Sequence, residues 1–255
     1  MGLTRKRYIV LAFLIFATLS SLYSQNSNSI LQKTDSSTSR DDFCAKAKFA
    51  KVVASAVVKT AIFSSAVSEL EQQIEQNPGK EYSLSFGRNP DSSLIVTPPT
   101  PGNASNGIIP DIAYAFADLH NHPKNTPPSS GDVYGLLRKN KRSGSYTLRF
   151  IRTSNQTLYA LCVVDTLQAR NFLLRYPPQQ TPGYSPLFPD KLLDEYRELI
   201  QRHKIPEEMV IAYFLEKYKA GVVLLKQDKN GDFIALRMAI TGSGDTLQAI
   251  QQTCN

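Results

Sequence analysis

Histidine is scarce in this chain, with three among 255 residues, and cysteine is equally scarce at three. So few cysteines exclude a small scaffold stapled by disulfides. No glycine-rich loop stands between an apolar run and a helical pattern, which removes the main support for nucleotide binding. There is no internal repeat and no collagen-like composition. Apolar residues make up 42% and charged residues 20%, near the values of globular proteins, so disorder throughout is excluded as well. A chain of this length can bury a full core, and one domain is expected.

The first two dozen residues differ from the rest. Arg5-Lys6-Arg7 precedes an unbroken apolar run from Tyr8 to Ala17, followed by Thr18, Ser20 and Ser21. Residues 1–24 therefore have the layout of a secretory signal peptide, with cleavage expected near Ser24 and a secreted or periplasmic product. No cysteine lies just after the run, so no lipoprotein acceptor is expected. The alternative is a single-pass anchor of about 16 residues, short of the roughly 20 that span a bilayer, and only that alternative implies membrane contact. Removing this segment takes the formal charge from +7 to +4, because it carries three cations and no acids. Arg138, Lys139, Lys141 and Arg142 form one local basic patch. It lacks the interleaved aromatics of a single-strand binder, so it reads as a solvated helix end and no nucleic-acid partner is expected. Export permits one oxidised cysteine pair. Cys162 lies in an apolar run and reads as buried, so Cys44 and Cys254 are the expected partners.

Residues 25–40 are rich in Ser, Asn, Gln and Thr and read as a flexible linker. Apolar residues then recur at three- and four-residue steps, predicting one helix from Asp41 to about Ile74 before Asn77-Pro78-Gly79. Glu81 to Phe86 alternates and predicts a strand, with Glu81, Ser83 and Ser85 on a polar face that could line a cleft. Strands are also expected over 93–96, 112–120, 146–152 and 157–164, and a loop over 98–110. Helices are expected over 130–138, 166–175, 190–204 and 207–219. The strands at 221–226 and 232–239 flank Asn230-Gly231, a hairpin signal. This order predicts an α+β (mixed α/β) fold: a mixed sheet flanked by helices, with a C-terminal helical and hairpin extension.

The richest stretch is Ala117-Asp118-Leu119-His120-Asn121-His122-Pro123, followed by Ser129-Ser130-Gly131-Asp132. Residues two apart on a strand share a face, so His120 and His122 can meet one ion while Asn121 faces away. Asp132 completes a set of three, and imidazoles with a carboxylate suit zinc, whose catalytic sites keep a fourth position open. Ser129 and Asp132 also have the spacing of a helix capping box, which needs no metal. Metal-assisted hydrolysis further needs a base, commonly a Glu that is not a ligand; Glu81 opens a strand and is better placed than Glu69, Glu71 or Glu75 on the long helix.

Together these residues resemble the JAMM (MPN-domain) metalloproteases. That family's motif is a Glu at a strand start, a distant His-x-His-Pro, and then Ser-x-x-Asp. The matching residues are Glu81, His120, His122, Pro123, Ser129 and Asp132. The His-Asn-His-Pro form is similar to the RadC-type branch. The resemblance covers roughly Phe49 to Val164, within a JAMM-like metal-binding domain over 41–164, and leaves 165–255 as an extension packed on the same domain. It implies Zn2+ held by His120, His122 and Asp132, Glu81 as general base, and Ser129 as a stabiliser of the oxyanion. The implied activity is an exported zinc metallopeptidase that cleaves a peptide or isopeptide bond in a peptide or protein substrate.

Two positions depart from the family. Nine residues separate His122 from Asp132 where ten are usual, so counting from the histidine selects Ser130, whereas the helix-turn spacing to Asp132 selects Ser129. Leu84 stands where a Gly is common. The alternative function is therefore a catalytically inactive JAMM-like binding module in an envelope or secreted assembly. The letters Asp118-x-His120-x-His122 also look like the opening of PHP-type phosphoesterases, but those need further histidines and only His203 remains. In HNH nucleases the equivalent residues are dispersed over a strand-strand-helix unit.

Overall fold

The computed structural model describes residues 36–102, 107–180, 185–242 and 244–254, so the signal or anchor segment lies outside the described residues. Helix α1 (Ser36–Val58) begins inside the stretch expected to be linker. It is followed by α2 (Ala61–Gln76), where the sequence predicts one continuous helix. The two are bent by 72°. Thr60 makes the break: its hydroxyl donates to Val57 O (2.7 Å) at the end of α1 and accepts from Phe63 N (3.3 Å) at the start of α2. One side chain thus satisfies a free carbonyl and a free amide, which stabilises two helix ends over one helix. Among the described residues no single helix is long and apolar enough to cross a membrane.

The centre of the molecule is a mixed sheet. Its strands are β1 (Tyr82–Arg88), β2 (Leu94–Val96), β3 (Thr100–Pro101), β4 (Ala117–His122), β5 (Leu148–Thr153), β6 (Leu158–Val163), β7 (Val222–Gln227) and β8 (Phe233–Ala235). The order is β2-β1-β4-β5-β6-β7-β8, with β3 also pairing β1. Among the described residues, only β4 and β5 pair in parallel. They are joined by a crossover that contains α3 (Ser130–Arg142), as a parallel pair requires. The predicted strand over 112–120 is later and shorter: residues 111–116 form no strand, and both histidines fall within β4. The described residues of the predicted 98–110 loop are loop except for Thr100–Pro101, which pairs with β1.

Alternation along each strand divides the core between the two faces of the sheet. Along β6, Ala160 and Cys162 pack with the α1 and α2 side, whereas Tyr159, Leu161 and Val163 pack with the helices on the opposite side. On the first face Phe63 of α2 stacks on Phe86 (centroids 5.5 Å apart) and meets Phe150 edge-on (5.0 Å). On the second face lie α3, α4 (Thr166–Arg175), α5 (Asp190–Arg197) and α6 (Glu207–Lys217), where Tyr134, Phe172, Phe188 and Phe214 pack together. Cys162 is buried among apolar groups, which pushes its thiol up to about 12.

Residues after Asp165 extend the sheet, because β7 pairs antiparallel with β6 over five residues of each strand. Asn230-Gly231 turns between β7 and β8, with Gly231 at φ +85°. The single strand expected over 232–239 is interrupted: β9 (Met238–Thr241) leaves the sheet and pairs with β10 (Gln248–Gln251). Between β8 and β9, Arg237 turns into an ion pair with Glu216 of α6 (2.6 Å). The expected bridge is present, with Cys44 of α1 joined to Cys254.

Candidate metal centre

All six residues of β4 are buried, so the polar face formed by Asp118, His120 and His122 must find its partners inside the protein. The register supplies some of them. Ser83 pairs with His120 and Ser85 with Asp118 on the β1 side, and Arg149 pairs with Asp118 on the β5 side. Extending the same antiparallel register places Glu81 opposite His122. The remaining partner, Asp132, is brought by the crossover helix.

At the N-terminus of α3 the Ser129–Asp132 pair forms a reciprocal cap. The Ser129 hydroxyl donates to Asp132 Oδ2 (2.9 Å) and accepts from Asp132 N (3.4 Å), while Ser129 N donates to the same carboxylate (2.7 Å). The cap and the His-His-Asp cluster prove to be compatible. Held in this way, Asp132 turns its carboxylate to the histidines: Oδ1 is 2.9 Å from His120 Nε2 and Oδ2 is 3.5 Å from His122 Nε2. The two Nε2 atoms are 3.3 Å apart. The nine-residue loop from Pro123 to Gly131 therefore closes with Asp132 at the two histidines. His120, His122 and Asp132 are buried, their donor atoms lie within 4.8 Å of one another, and the group could bind a metal ion.

Neighbouring polar groups orient the two imidazoles. Thr126 O lies 2.9 Å from His122 Nδ1, which donates to it and leaves a lone pair on Nε2 for an ion. His120 Nδ1 faces the Asp118 carboxylate at 3.7 Å and makes no closer hydrogen bond. Burial opposes a charge on His120, but the Asp132 and Asp118 carboxylates outweigh it, and its imidazole is pushed up to about 9. Burial likewise opposes charge on Asp132, and the two imidazoles hold its carboxyl well below the usual range.

Glu81 lines the same cleft, of about 650 Å³, as these three residues and Ser129. Burial raises its carboxyl above the ordinary range, against the lowering effect of His120 and His122, and the Gly107 amide donates to it. Ser83 and Ser85 do not line the cleft as expected from their face. They are buried, and their hydroxyls donate to Ile108 O (2.6 Å) and Pro110 O (2.5 Å), holding that loop over the sheet. Asn121 faces away from the histidines. Its side chain accepts from Tyr82 N (2.6 Å) and donates to Lys80 O (3.1 Å), so it grips the backbone on both sides of Glu81.

The sequence reading passes over the support behind the ligands. Arg149 is buried, and its Nε and Nη2 donate to the two oxygens of Asp118 (both 3.0 Å), while Nη1 donates to Asp132 O (3.0 Å). Tyr146 donates to Asp118 from the other side. Asp118 announces itself by lying two residues before His120; Arg149 carries no local signal, because its partners are defined only by the parallel pairing of β4 with β5. In comparison with known proteins, the chain matches no family model and no curated protein sequence.

Proposed function

We propose that this protein is an exported zinc-dependent hydrolase of the JAMM type, acting on a peptide or isopeptide bond. The observation that carries the reading is the convergence of His120 Nε2, His122 Nε2 and the Asp132 carboxylate in one cleft with the buried Glu81. Ligands about 2.0–2.1 Å from a zinc ion at tetrahedral angles stand about 3.3 Å apart. The two imidazole Nε2 atoms are 3.3 Å apart, close to that edge length, and Asp132 offers Oδ1 2.9 Å from His120 Nε2 and Oδ2 3.5 Å from His122 Nε2. Two imidazoles and one carboxylate leave a fourth position for water or substrate, which favours a catalytic over a purely structural site.

When bound, zinc would polarise the scissile carbonyl and lower the pKa of a water to about 7. Glu81 accepts the proton of the attacking water and returns it to the leaving amine. Its proton affinity, raised by burial, suits both halves of that task. Ser129 now donates to Asp132, and a rotation about its side-chain bond presents the same proton to the substrate oxygen.

Elemental analysis and cleavage assays of the mature chain test the reading. Wild type should hold zinc and His122→Ala should lose it. Glu81→Gln should keep zinc while cleavage of a casein or peptide substrate falls by about 10²–10⁴. A wild-type protein that binds no zinc, or a Glu81→Gln variant with undiminished cleavage, would sink it. Zinc retained with no cleavage of any substrate would favour the binding module.

A further inference from the structure

The basic patch read as a solvated helix end has a second side. Gly131 and Asp132, Gly135, and Arg138 and Lys139 fall at three- and four-residue steps on one face of α3, and all of them line the cleft that holds the metal centre. At about 1.5 Å per residue, Arg138 and Lys139 stand roughly 9–10 Å along the helix from Asp132. Gly135 lies between them with the Arg149 guanidinium packed against it, and Arg149 also lines the cleft. Lys124 enters the same cleft from the loop after β4.

These cations are poorly answered by the protein. Arg138 and Lys124 are exposed, and neither forms an ion pair among the described residues. Lys139 is half-buried, and its nearest carboxylate, Asp111, is 4.0 Å away and itself 91% exposed. Burial lowers the Lys139 ammonium, outweighing the raising effect of the Asp118 and Asp111 carboxylates, and its Nζ lies 5.0 Å from the Tyr146 ring centroid. The carboxylates lining the cleft among the described residues are Glu81 and Asp132 at the metal centre, and Glu207, which accepts from Tyr196 (2.7 Å).

We infer that the cleft takes a peptide bearing a carboxylate that pairs with Arg138 and Lys139 about three residues from the scissile bond. The spacing follows from the roughly 9–10 Å separation and the approximately 3.3 Å rise of an extended chain. Arg138 supplies a guanidinium fork, which binds carboxylates through two parallel hydrogen bonds. The carboxylate can be an acidic side chain or a free C-terminus. This inference rests on the hydrolase reading for the position of the scissile bond, but the preference for an anion depends on α3 alone.

Direct binding separates the two. Fluorescein-labelled alanine-rich octapeptides carrying Glu, Gln or Lys at one scanned position, each as the free acid and as the C-terminal amide, are titrated into the full mature chain carrying Glu81→Gln. Anisotropy is read with zinc and with EDTA. The Glu peptide should bind about tenfold more tightly than its Gln counterpart at one position, with the advantage shrinking as salt rises. Arg138→Gln should erase the preference and Arg138→Glu should turn it toward Lys, with circular dichroism unchanged because Arg138 is exposed. A preference seen only between free acid and amide assigns the site to a C-terminus; one that persists in the amides assigns it to a side chain. Glu and Gln peptides binding within twofold of each other with no difference between free acid and amide, or no binding of any acidic peptide, overturns the inference. Failure to load zinc with the preference intact would instead overturn the hydrolase reading.

Discussion

Gly135→Ala sets two physical effects against each other in the middle of α3. Helix propensity alone favours alanine by about 1 kcal/mol. The added Cβ, however, would lie 2.3 Å from Arg149 Nη1, 3.1 Å from Cζ and 3.2 Å from Nη2. A free arginine could swing away, but this one is buried and donates to Asp118 and to Asp132 O. Shifting it far enough to relieve the contact breaks the bond to Asp132 O and loosens the fork on Asp118, and hydrogen bonds to charged groups contribute about 1.5–3 kcal/mol each. The loss wins, leaving a net destabilisation of about 2–4 kcal/mol. In a domain of this size that lowers the melting temperature by roughly 5–12 °C. Because Arg149 supports both Asp132 and the carboxylate behind His120, affinity for a metal ion at this centre, zinc under the proposed function, should also fall about 10–100-fold. Calorimetry and zinc titration with a chromophoric chelator measure the two effects. In an Arg149→Met background the stability penalty of Gly135→Ala should shrink, since the clash is then gone. An unchanged or higher melting temperature for Gly135→Ala alone would refute the reasoning.

Three further outcomes are expected. Asn121→Ala leaves Tyr82 N and Lys80 O without their partner, and should cost about 1–3 kcal/mol in urea unfolding and, under the proposed hydrolase function, reduce cleavage by displacing Glu81; undiminished cleavage in this variant would remove Asn121 from the positioning of Glu81. The Cys44–Cys254 bridge joins residues 210 apart, so Cys254→Ser should lower stability by about 2–5 kcal/mol, and reductant should destabilise wild type but not the variant. In EDTA, the folded-state value of about 9 for His120 against 6.5 unfolded means that its contribution is fully present below pH 6.5 and is lost as pH rises through 9. The depressed carboxyl of Asp132 contributes above its ordinary 3.8 and is lost in acid. Melting temperatures in EDTA should therefore decline between pH 6.5 and 9, and zinc should flatten that decline by displacing the His120 proton; a flat profile in EDTA would contradict the described pairing.

The local features legible in the sequence were those with a short period. Alternation at Tyr82, Leu84 and Phe86 marked β1, the Asn230-Gly231 pair marked the β7–β8 turn, and the two-residue step from His120 to His122 placed both imidazoles on one strand face. The α1–α2 break escaped, because apolar spacing continues across it and only Thr60's simultaneous bonds to Val57 and Phe63 reveal two helix ends. Ser83 and Ser85 were misplaced for a similar reason: a period of two assigns a face, but not what covers it.

The sequence by itself determined the mixed α/β class, the share of each strand's residues on either face, and the three donors that the structure gathers at one centre, because periodicity and residue chemistry are local properties. Only the tertiary structure decided that a short loop still brings Asp132 within 2.9 Å of His120, that Arg149 is locked beneath Gly135, and that Arg138 and Lys139 look into the cleft. Those contacts depend on the parallel pairing of β4 with β5 and on the crossover helix it demands. Strand register is an agreement between distant segments, so no single stretch of the chain records it.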